Sequence, residues 1–244
     1  MAAQRPLLLL TRPEPASRAF WEALPDAARR SVDLLVNPLI SIHVTGPLPD
    51  MTGVKRLIFT SANGLDAFRT LGGAPSGIPA IAVGETTAAR ATAQGFDVDV
   101  AGGSAEQLIE FVQSNGYAGP LLHVRGNISI GDVAQRLTAA GVPTTEAVLY
   151  EQRLEPLKGE TQEALSQDRP VIAPVFSPRT ARQLRDESEG MGAMSFAAIS
   201  EAVAHCLPSD AALRTRIAKA PNREGMVELV ADMIADSVSL ERPL

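Results

Sequence analysis

The sequence has few of the side chains that most often carry covalent or metal chemistry. Among 244 residues there are one cysteine, three histidines and 4% aromatic residues. The single cysteine, Cys206, excludes a disulfide within the chain and is typical of a reducing compartment, so we expect a cytoplasmic protein. His43, His123 and His205 do not have the spacing of metal ligands, and we therefore expect no metal site.

Positive charge is also scarce, because 22 Lys and Arg residues stand against 28 Asp and Glu residues, a net charge of −6. This balance disfavours a nucleic-acid or anionic-membrane surface, so we expect neither kind of partner. No apolar run reaches membrane-spanning length, and the four leucines near the start are too few for the core of a secretory signal. An anionic ligand must be held by local donors rather than by a basic surface.

The common motifs of cofactor and nucleophile sites are missing. No GxGxxG follows an apolar run that predicts a strand, and the segment at 72–77 (GGAPSG) lacks the Lys-Ser/Thr pair of a phosphate loop. There is also no GxSxG turn of the kind that carries a serine nucleophile. The sequence therefore disfavours a nucleotide-dependent enzyme and predicts no cofactor.

What is present is a series of short aliphatic runs that alternate with alanine-rich helical stretches, in a chain that is 45% hydrophobic. This alternation is typical of an α/β protein. The clearest example is Leu57–Phe68, a buried strand that ends at Thr60 and Ser61 and is followed by a helix. Such a junction directs free backbone N–H groups, and the positive end of the helix dipole, past the end of the strand.

The two halves of the chain repeat one order of strands, which we label A to E. Ser177 follows Ser61 by 116 residues, and Ile199–Glu201 follows Val83–Glu85 by the same shift. The remaining matches pair Leu121–Arg125 with Leu7–Arg12, Glu146–Tyr150 with Asp33–Asn37 at a shift of 113, and Ile217–Ala220 with Val98–Ala101. We interpret this as an internal duplication, ABCDE followed by ABCDE.

The duplication leaves two arrangements open. The repeats could fold separately, with a boundary near Gly119-Pro120. Alternatively, the first A and B strands could join the last C, D and E strands, with the middle of the chain closing as an inserted domain. The second arrangement needs two chain crossings, near residues 38–44 and 149–155, and both segments look extended.

The carboxyl ends of parallel strands are where open α/β sheets bind ligands. One such residue is more often only a helix cap, but several of one type favour an anion-binding edge. In this chain the predicted strand ends carry hydroxyls, glycines and arginines, at Thr11, Arg12, Thr60, Ser61, Gly84, Arg125, Gly126, Tyr150, Ser177 and Ser200.

Eight short motifs together resemble the uroporphyrinogen-III synthase family. They keep the same order along nearly the whole chain. They are LLLTRP (8–13), PLI (38–40), IFTSANG (58–64), AVGETTA (82–88), LHVRG (122–126), VLYE (148–151), FSPRTA (176–181) and ISEAVA (199–204).

The resemblance implies two doubly wound parallel-sheet (flavodoxin-like) α/β domains of related topology, joined by a two-stranded linker. Residues 1–38 and 154–244 would form the first domain, 43–149 the inserted domain, and 38–43 with 149–154 the linker. It thereby favours the arrangement in which the first A and B strands join the last C, D and E strands.

The resemblance also implies the reaction. The linear tetrapyrrole hydroxymethylbilane loses water at ring A, ring D is inverted, and the macrocycle closes as uroporphyrinogen III without cofactor or metal. Tyr150 would hydrogen-bond the departing hydroxyl, and the protein would be a monomer. The residues expected to bind substrate are Arg12, Thr60, Ser61, Asn63, Gly64, Gly84, Arg125, Gly126, Ser177, Arg179, Thr180, Ser200 and Ala202.

The alternative from another functional class is a non-catalytic protein whose two lobes close on an anionic small molecule. It shares the duplication but needs neither Tyr150 nor arginines at strand ends. Supplying hydroxymethylbilane and identifying the porphyrin isomer would distinguish the two.

Overall fold

A computed structural model describes residues 4–189, 194–208, 211 and 214–240. By their contacts the residues divide into two compact units, unit 1 (Met1–Ser41 with Leu154–Leu244) and unit 2 (Ile42–Arg153). The chain therefore crosses between units twice, after Ser41 and after Arg153. The domain boundaries implied by the resemblance stay a prediction.

The strands in the described residues are short and mostly aliphatic. They are β1 (Leu7–Leu10), β2 (Asp33–Val36), β3 (Ile40–Val44), β4 (Arg56–Phe59), β5 (Ala80–Ala82), β6 (Val98–Val100), β7 (Leu121–Gly126), β8 (Thr144–Leu154), β9 (Val171–Val175), β10 (Met194–Ala198) and β11 (Thr215–Ile217). The helices are α1 (Glu14–Ala23), α2 (Asp26–Ser31), α3 (Ala62–Thr70), α4 (Glu85–Ala93), α5 (Ala105–Ser114), α6 (Val133–Ala139), α7 (Gly159–Leu165), α8 (Pro178–Glu187), α9 (Glu201–Ala204) and α10 (Arg223–Leu240).

Each unit is built on one sheet. The strand order is β11-β10-β9-β1-β2 in unit 1 and β3-β8-β7-β4-β5-β6 in the other sheet. The pairings from β2 to β11 and from β8 to β6 are parallel. The predicted α/β fold class is confirmed.

The sheets also decide how the two repeats are distributed. The A and B strands β1 and β2 share a sheet with the C, D and E strands β9, β10 and β11, while β7 and β8 share one with β4, β5 and β6. Both sheets therefore have the order B-A-C-D-E. Of the two arrangements left open, the structure has the one in which the first A and B strands join the last C, D and E strands.

The strand register defines which residues of the two sheets are equivalent. Leu8 lies opposite Ile172 and Leu121 opposite Arg56, which makes Arg125 equivalent to Arg12 when Ser61 is aligned with Ser177. By the same register Thr60 is equivalent to Phe176, and His123 to Leu10.

The predicted match of Glu146 with Asp33 was wrong. Glu146 lies opposite His123, but Val36 lies opposite Leu10, three residues further along β2. The chain takes 26 residues from Leu10 to Val36 but only 23 from His123 to Glu146, so the shift between the repeats falls from 113 to 110 at this strand.

Apolar side chains cover both faces of each sheet because neighbouring strand residues point to opposite sides. Leu9 packs with Phe196 and Leu184 on one face of unit 1, and Leu8 packs with Phe20 and Met226 on the other. In unit 2, Phe59 packs with α3 and Ile58 with α5 and α6. The core is aliphatic apart from Tyr150 and a few phenylalanines, as the low aromatic content requires.

Within the described part of the chain, no helix combines the length and the hydropathy that crossing a bilayer would need.

Candidate functional site

The carboxyl end of β4 in unit 2 carries a helix cap joined to a buried tyrosine. Ser61 is the N-cap of α3, and its Oγ accepts a hydrogen bond from the Gly64 N–H at 3.2 Å. The same Oγ lies 3.0 Å from the hydroxyl of Tyr150, which belongs to β8. One serine therefore begins the helix and fixes the tip of the tyrosine ring.

Tyr150 is held by its packing as well as by Ser61. Only 3% of its surface is exposed, and its ring lies against the Cα of Gly126, where an added Cβ would come within 2.5 Å of Tyr150 Cε2. The neighbouring Asn127 N–H donates to the Tyr150 carbonyl at 2.9 Å. Only glycine leaves room for the ring at this position, and the substrate-binding role expected of Gly126 stays a prediction.

A second polar group lies across the three neighbouring strands. Thr60 Oγ1 is 3.1 Å from His123 Nε2, and His123 Nδ1 is 3.5 Å from a carboxylate oxygen of Glu146. The other oxygen of Glu146 forms an ion pair with Arg125 at 2.7 Å. Thr60, His123, Glu146 and Arg125 form a continuous chain, which we call the unit 2 polar chain.

His123 is fully buried within that chain. Burial lowers its pKa below the ordinary value of 6.5, and the nearby Glu146 carboxylate opposes this shift without cancelling it. The imidazole is therefore neutral at pH 7 and carries one N–H.

The other predicted residues of unit 2 lie at the same carboxyl edge. Asn63 and Gly64 are in the first turn of α3, and an added Cβ on Gly64 would lie 3.1 Å from the Val124 carbonyl. The helix can pack closely on β7 because of that glycine. Gly84 follows β5 with φ +82° and begins α4, and its N–H donates to the Gly102 carbonyl.

In unit 1 the equivalent cap is Ser177. Its Oγ accepts from the Thr180 N–H at 3.1 Å and is 2.9 Å from the Thr180 hydroxyl, with Pro178 in the first turn of α8. Arg179 follows in the same turn and is half-buried. The residues predicted from the FSPRTA motif therefore lie together at one helix start.

Arg12 follows β1 and lies over the aromatic ring of Phe176, 4.5 Å from its centroid. Phe20 packs edge-on against the same ring at 5.3 Å. Burial, and to a smaller extent the positive charge of Arg223, lowers the pKa of Arg12. A guanidinium nevertheless stays charged at neutral pH, so this strand end of unit 1 is positive.

Ser200 and Ala202 have fewer of the features expected of a binding site. Ser200 occupies the N-cap position of α9, but its side chain makes no capping hydrogen bond, and α9 has only four residues. Ala202 is exposed, and its carbonyl accepts from the Cys206 thiol at 3.4 Å.

The structure brings the predicted residues together in two sets. Thr60, Ser61, Asn63, Gly64, Gly84, Arg125, Gly126 and Tyr150 lie in unit 2, and Arg12, Ser177, Arg179, Thr180, Ser200 and Ala202 lie in unit 1. His123 and Glu146 were not among the site residues predicted from the sequence, because His123 was considered only as a candidate metal ligand. The available signal was an imidazole and an arginine inside an otherwise aliphatic strand. Among the residues that the structure describes, no group of His, Cys, Asp and Glu could hold a metal ion.

Comparison with known proteins adds the family. A model of the family described as uroporphyrinogen-III synthase HemD matches residues 23–228. No curated protein matches the chain in a sequence search.

Solved structures show the same fold. A uroporphyrinogen-III synthetase from Helicobacter pylori is 22% identical, with a TM-score of 0.66 over 94% of this chain and 100% of that chain. A mutant uroporphyrinogen III synthase from the extremely thermophilic bacterium Thermus thermophilus is 13% identical, with a TM-score of 0.54 over 94% of this chain and 99% of that chain.

Proposed function

The chain belongs to the uroporphyrinogen-III synthase family, and from this premise we propose how its residues convert hydroxymethylbilane to uroporphyrinogen III. The activity itself is that of the family: the linear tetrapyrrole loses water, ring D is inverted and the macrocycle closes. The match of the family model over residues 23–228 is the observation that carries this function.

The substrate has acetate and propionate carboxylates on its rings, whereas the protein is acidic overall. The helix starts at Ser61 and Ser177 offer backbone N–H groups and the positive ends of α3 and α8. Such groups hold carboxylates without a basic surface. Arg12, with its charge over an aromatic face, adds a charged donor.

We assign the assistance of water loss to Tyr150 with Ser61. The departing hydroxyl takes up a proton as the C–O bond breaks and leaves as water. A phenol held by packing and by a 3.0 Å contact with Ser61 Oγ is oriented to share its proton with that oxygen. The remaining acceleration comes from holding a flexible chain in the one geometry that inverts ring D.

The same proposal includes a cytoplasmic location and action as a monomer, without nucleic acid or membrane. The single cysteine supports the location, and the net negative charge supports the absence of nucleic-acid and membrane partners, whereas the monomer rests on the resemblance to the family. We also infer that residues 1–38 with 154–244 and residues 43–149 act as separate domains on the linker 38–43 and 149–154.

The test is to supply hydroxymethylbilane and to analyse the oxidised porphyrins. The enzyme yields isomer III, whereas uncatalysed closure yields isomer I. Only isomer I at the uncatalysed rate would contradict the proposal and favour a non-catalytic protein that binds an anionic small molecule.

Tyr150→Phe tests the assigned role. We expect turnover to fall by about a hundredfold, the lower end of the range for general acid catalysis, with isomer III still formed. Tyr117→Phe is the matched control, because its hydroxyl donates to Asp99 at 2.8 Å, outside the proposed site. A Tyr150→Phe variant with the full wild-type rate would remove Tyr150 from the mechanism.

A further inference from the structure

The proposed mechanism does not use the buried histidine of β7. His123 is 0% exposed in β7, between Leu122 and Val124, and it contacts the expected substrate-binding residue Thr60. Its Nε2 is hydrogen-bonded to Thr60, whereas Nδ1 has no hydrogen-bond partner among the described residues and faces a carboxylate, so the charge around the ring determines which nitrogen carries the proton.

The charge of Glu146 determines that choice. One of its carboxylate oxygens lies 3.5 Å from His123 Nδ1, and the other forms an ion pair with Arg125 at 2.7 Å. An anion at this position attracts an N–H and repels a nitrogen lone pair. Because burial keeps the ring neutral at pH 7, the single proton lies on Nδ1.

The consequence for Thr60 follows from the hydrogen-bonding capacity of a hydroxyl. With Nδ1 protonated, Nε2 is an acceptor, so the Thr60 hydroxyl donates to it across 3.1 Å. The only proton of Thr60 is then committed, and its oxygen presents lone pairs. An oxygen in this state repels a carboxylate but accepts an N–H.

We propose that His123 is a positioning residue that makes Thr60 Oγ1 a hydrogen-bond acceptor for a pyrrole N–H of the linear tetrapyrrole. Thr60 is half-buried at the carboxyl end of β4, directly before Ser61, so its oxygen is at the predicted binding edge. The inference rests on the proposed function for its ligand, and it replaces the expected role of Thr60 as an anion donor.

The inference separates two tasks at this strand end. The backbone N–H groups at the start of α3 can bind substrate carboxylates, whereas Thr60 can bind a pyrrole N–H. Spontaneous closure does not distinguish the nitrogen side of one ring from that of another. In unit 1 the position equivalent to Thr60 is Phe176 and that equivalent to His123 is Leu10, so these positions of unit 1 form no such acceptor.

The first experiment measures the tautomer without any substrate. The full chain is labelled with ¹⁵N at histidine, and long-range ¹H–¹⁵N correlations are recorded at about pH 8, where the ring is neutral. His43→Gln and His205→Gln assign the signals. We expect the Nδ1–H form for His123. An Nε2–H form, or a ring that is still protonated, overturns the proposal whatever the activity.

The second experiment is kinetic and uses Thr60→Val, His123→Leu and the double variant. We expect Thr60→Val to raise the KM for hydroxymethylbilane about three- to tenfold, as for one lost neutral hydrogen bond, with a smaller change in kcat. His123→Leu raises KM less. Because His123 acts only through Thr60, the double variant has the KM of Thr60→Val alone.

The control is Thr92→Val, the same change at an exposed position of α4, which leaves KM unchanged. Full additivity of the two changes, or a KM unaffected by Thr60→Val, overturns the inference. A wild-type protein that forms only isomer I instead contradicts the proposed function, and the tautomer measurement still decides the state of His123.

Discussion

The same sheet order in units 1 and 2 supports strand ends of opposite character. At equivalent positions, unit 2 has Thr60 and His123 where unit 1 has Phe176 and Leu10. Unit 2 thereby gains a buried polar chain, and unit 1 gains an aromatic contact between Phe20 and Phe176. A serine caps the following helix in both units, so the helix begins in the same way in the polar surroundings of unit 2 and the aromatic surroundings of unit 1.

The difference also changes what the two equivalent arginines can do. Arg125 is 2.7 Å from Glu146, which neutralises its charge. Arg12 lies on Phe176, and within the described residues no carboxylate comes within ion-pair distance of it. An arginine at a strand end is therefore available to an anionic substrate only where the neighbouring strand places no carboxylate beside it.

The largest expected effect is on the KM of Arg12→Gln, and Arg125→Gln is the variant with which we compare it to test the contrast between the two arginines. Loss of a charge-assisted hydrogen bond to a carboxylate costs about 1.5–3 kcal/mol, so Arg12→Gln should raise the KM for hydroxymethylbilane about tenfold to a hundredfold. Arg125→Gln should raise KM less and should mainly lower stability, because Glu146 loses its partner. Steady-state kinetics and urea unfolding measure both, and equal KM effects would remove the contrast between the arginines.

The next effect concerns the room that Gly126 leaves for Tyr150. Gly126→Ala would place a Cβ 2.5 Å from the buried ring, and overpacking of this kind costs about 1–3 kcal/mol. Unit 1 has Pro13 at the equivalent position, where no tyrosine has to fit.

The control for Gly126→Ala is Gly159→Ala. An added Cβ there meets nothing within 4 Å and the backbone is not in the left-handed region, so stability should be unchanged or slightly higher. Thermal unfolding compares the two variants. If Gly126→Ala were as stable as Gly159→Ala, the tyrosine would not depend on the glycine.

Much of this comparison was accessible from the sequence because it depends on local patterns. The strand-to-helix junctions at Ser61 and Ser177 were predicted from an apolar run followed by a capping residue, and both serines cap their helices. The α/β fold class and the family were likewise predicted and are confirmed.

The polar chain was not accessible because it depends on lateral register. His123 and Glu146 are 23 residues apart in the sequence and meet only because β7 and β8 pair in one particular register. A constant shift between the repeats placed Glu146 at Asp33, because no sequence pattern reveals that the chain takes three residues fewer from β7 to β8 than from β1 to β2. The roles assigned to individual substrate-binding residues stay predictions.

A smaller effect separates the two cap serines. Ser61→Ala and Ser177→Ala should each lower stability by about 1 kcal/mol, the usual cost of losing an N-cap. Only Ser61→Ala should also lower turnover, because Ser61 Oγ orients the Tyr150 hydroxyl whereas Ser177 Oγ contacts Thr180. Urea unfolding and the isomer III assay are the measurements, and an equal loss of turnover in both variants would contradict the difference between them.

The smallest effect is a pH dependence, and it disappears above about pH 7.5, where histidine is neutral both in the folded and in the unfolded chain. Burial lowers the pKa of His123 below 6.5, the positive charge of Arg125 adds to this shift, and the Glu146 carboxylate opposes it. On acidification the unfolded chain therefore takes up this proton first, and the free energy of unfolding falls from about pH 7 down to the folded pKa. His123→Leu, which gives unit 2 the residue that unit 1 has as Leu10, should lose this part of the slope. Urea unfolding of both proteins between about pH 8 and pH 5 measures it. Identical slopes of the free energy of unfolding against pH in the two proteins would show that the fold does not hold His123 neutral. The polar side chains of unit 2 would then have no effect that distinguishes them from the apolar ones of unit 1.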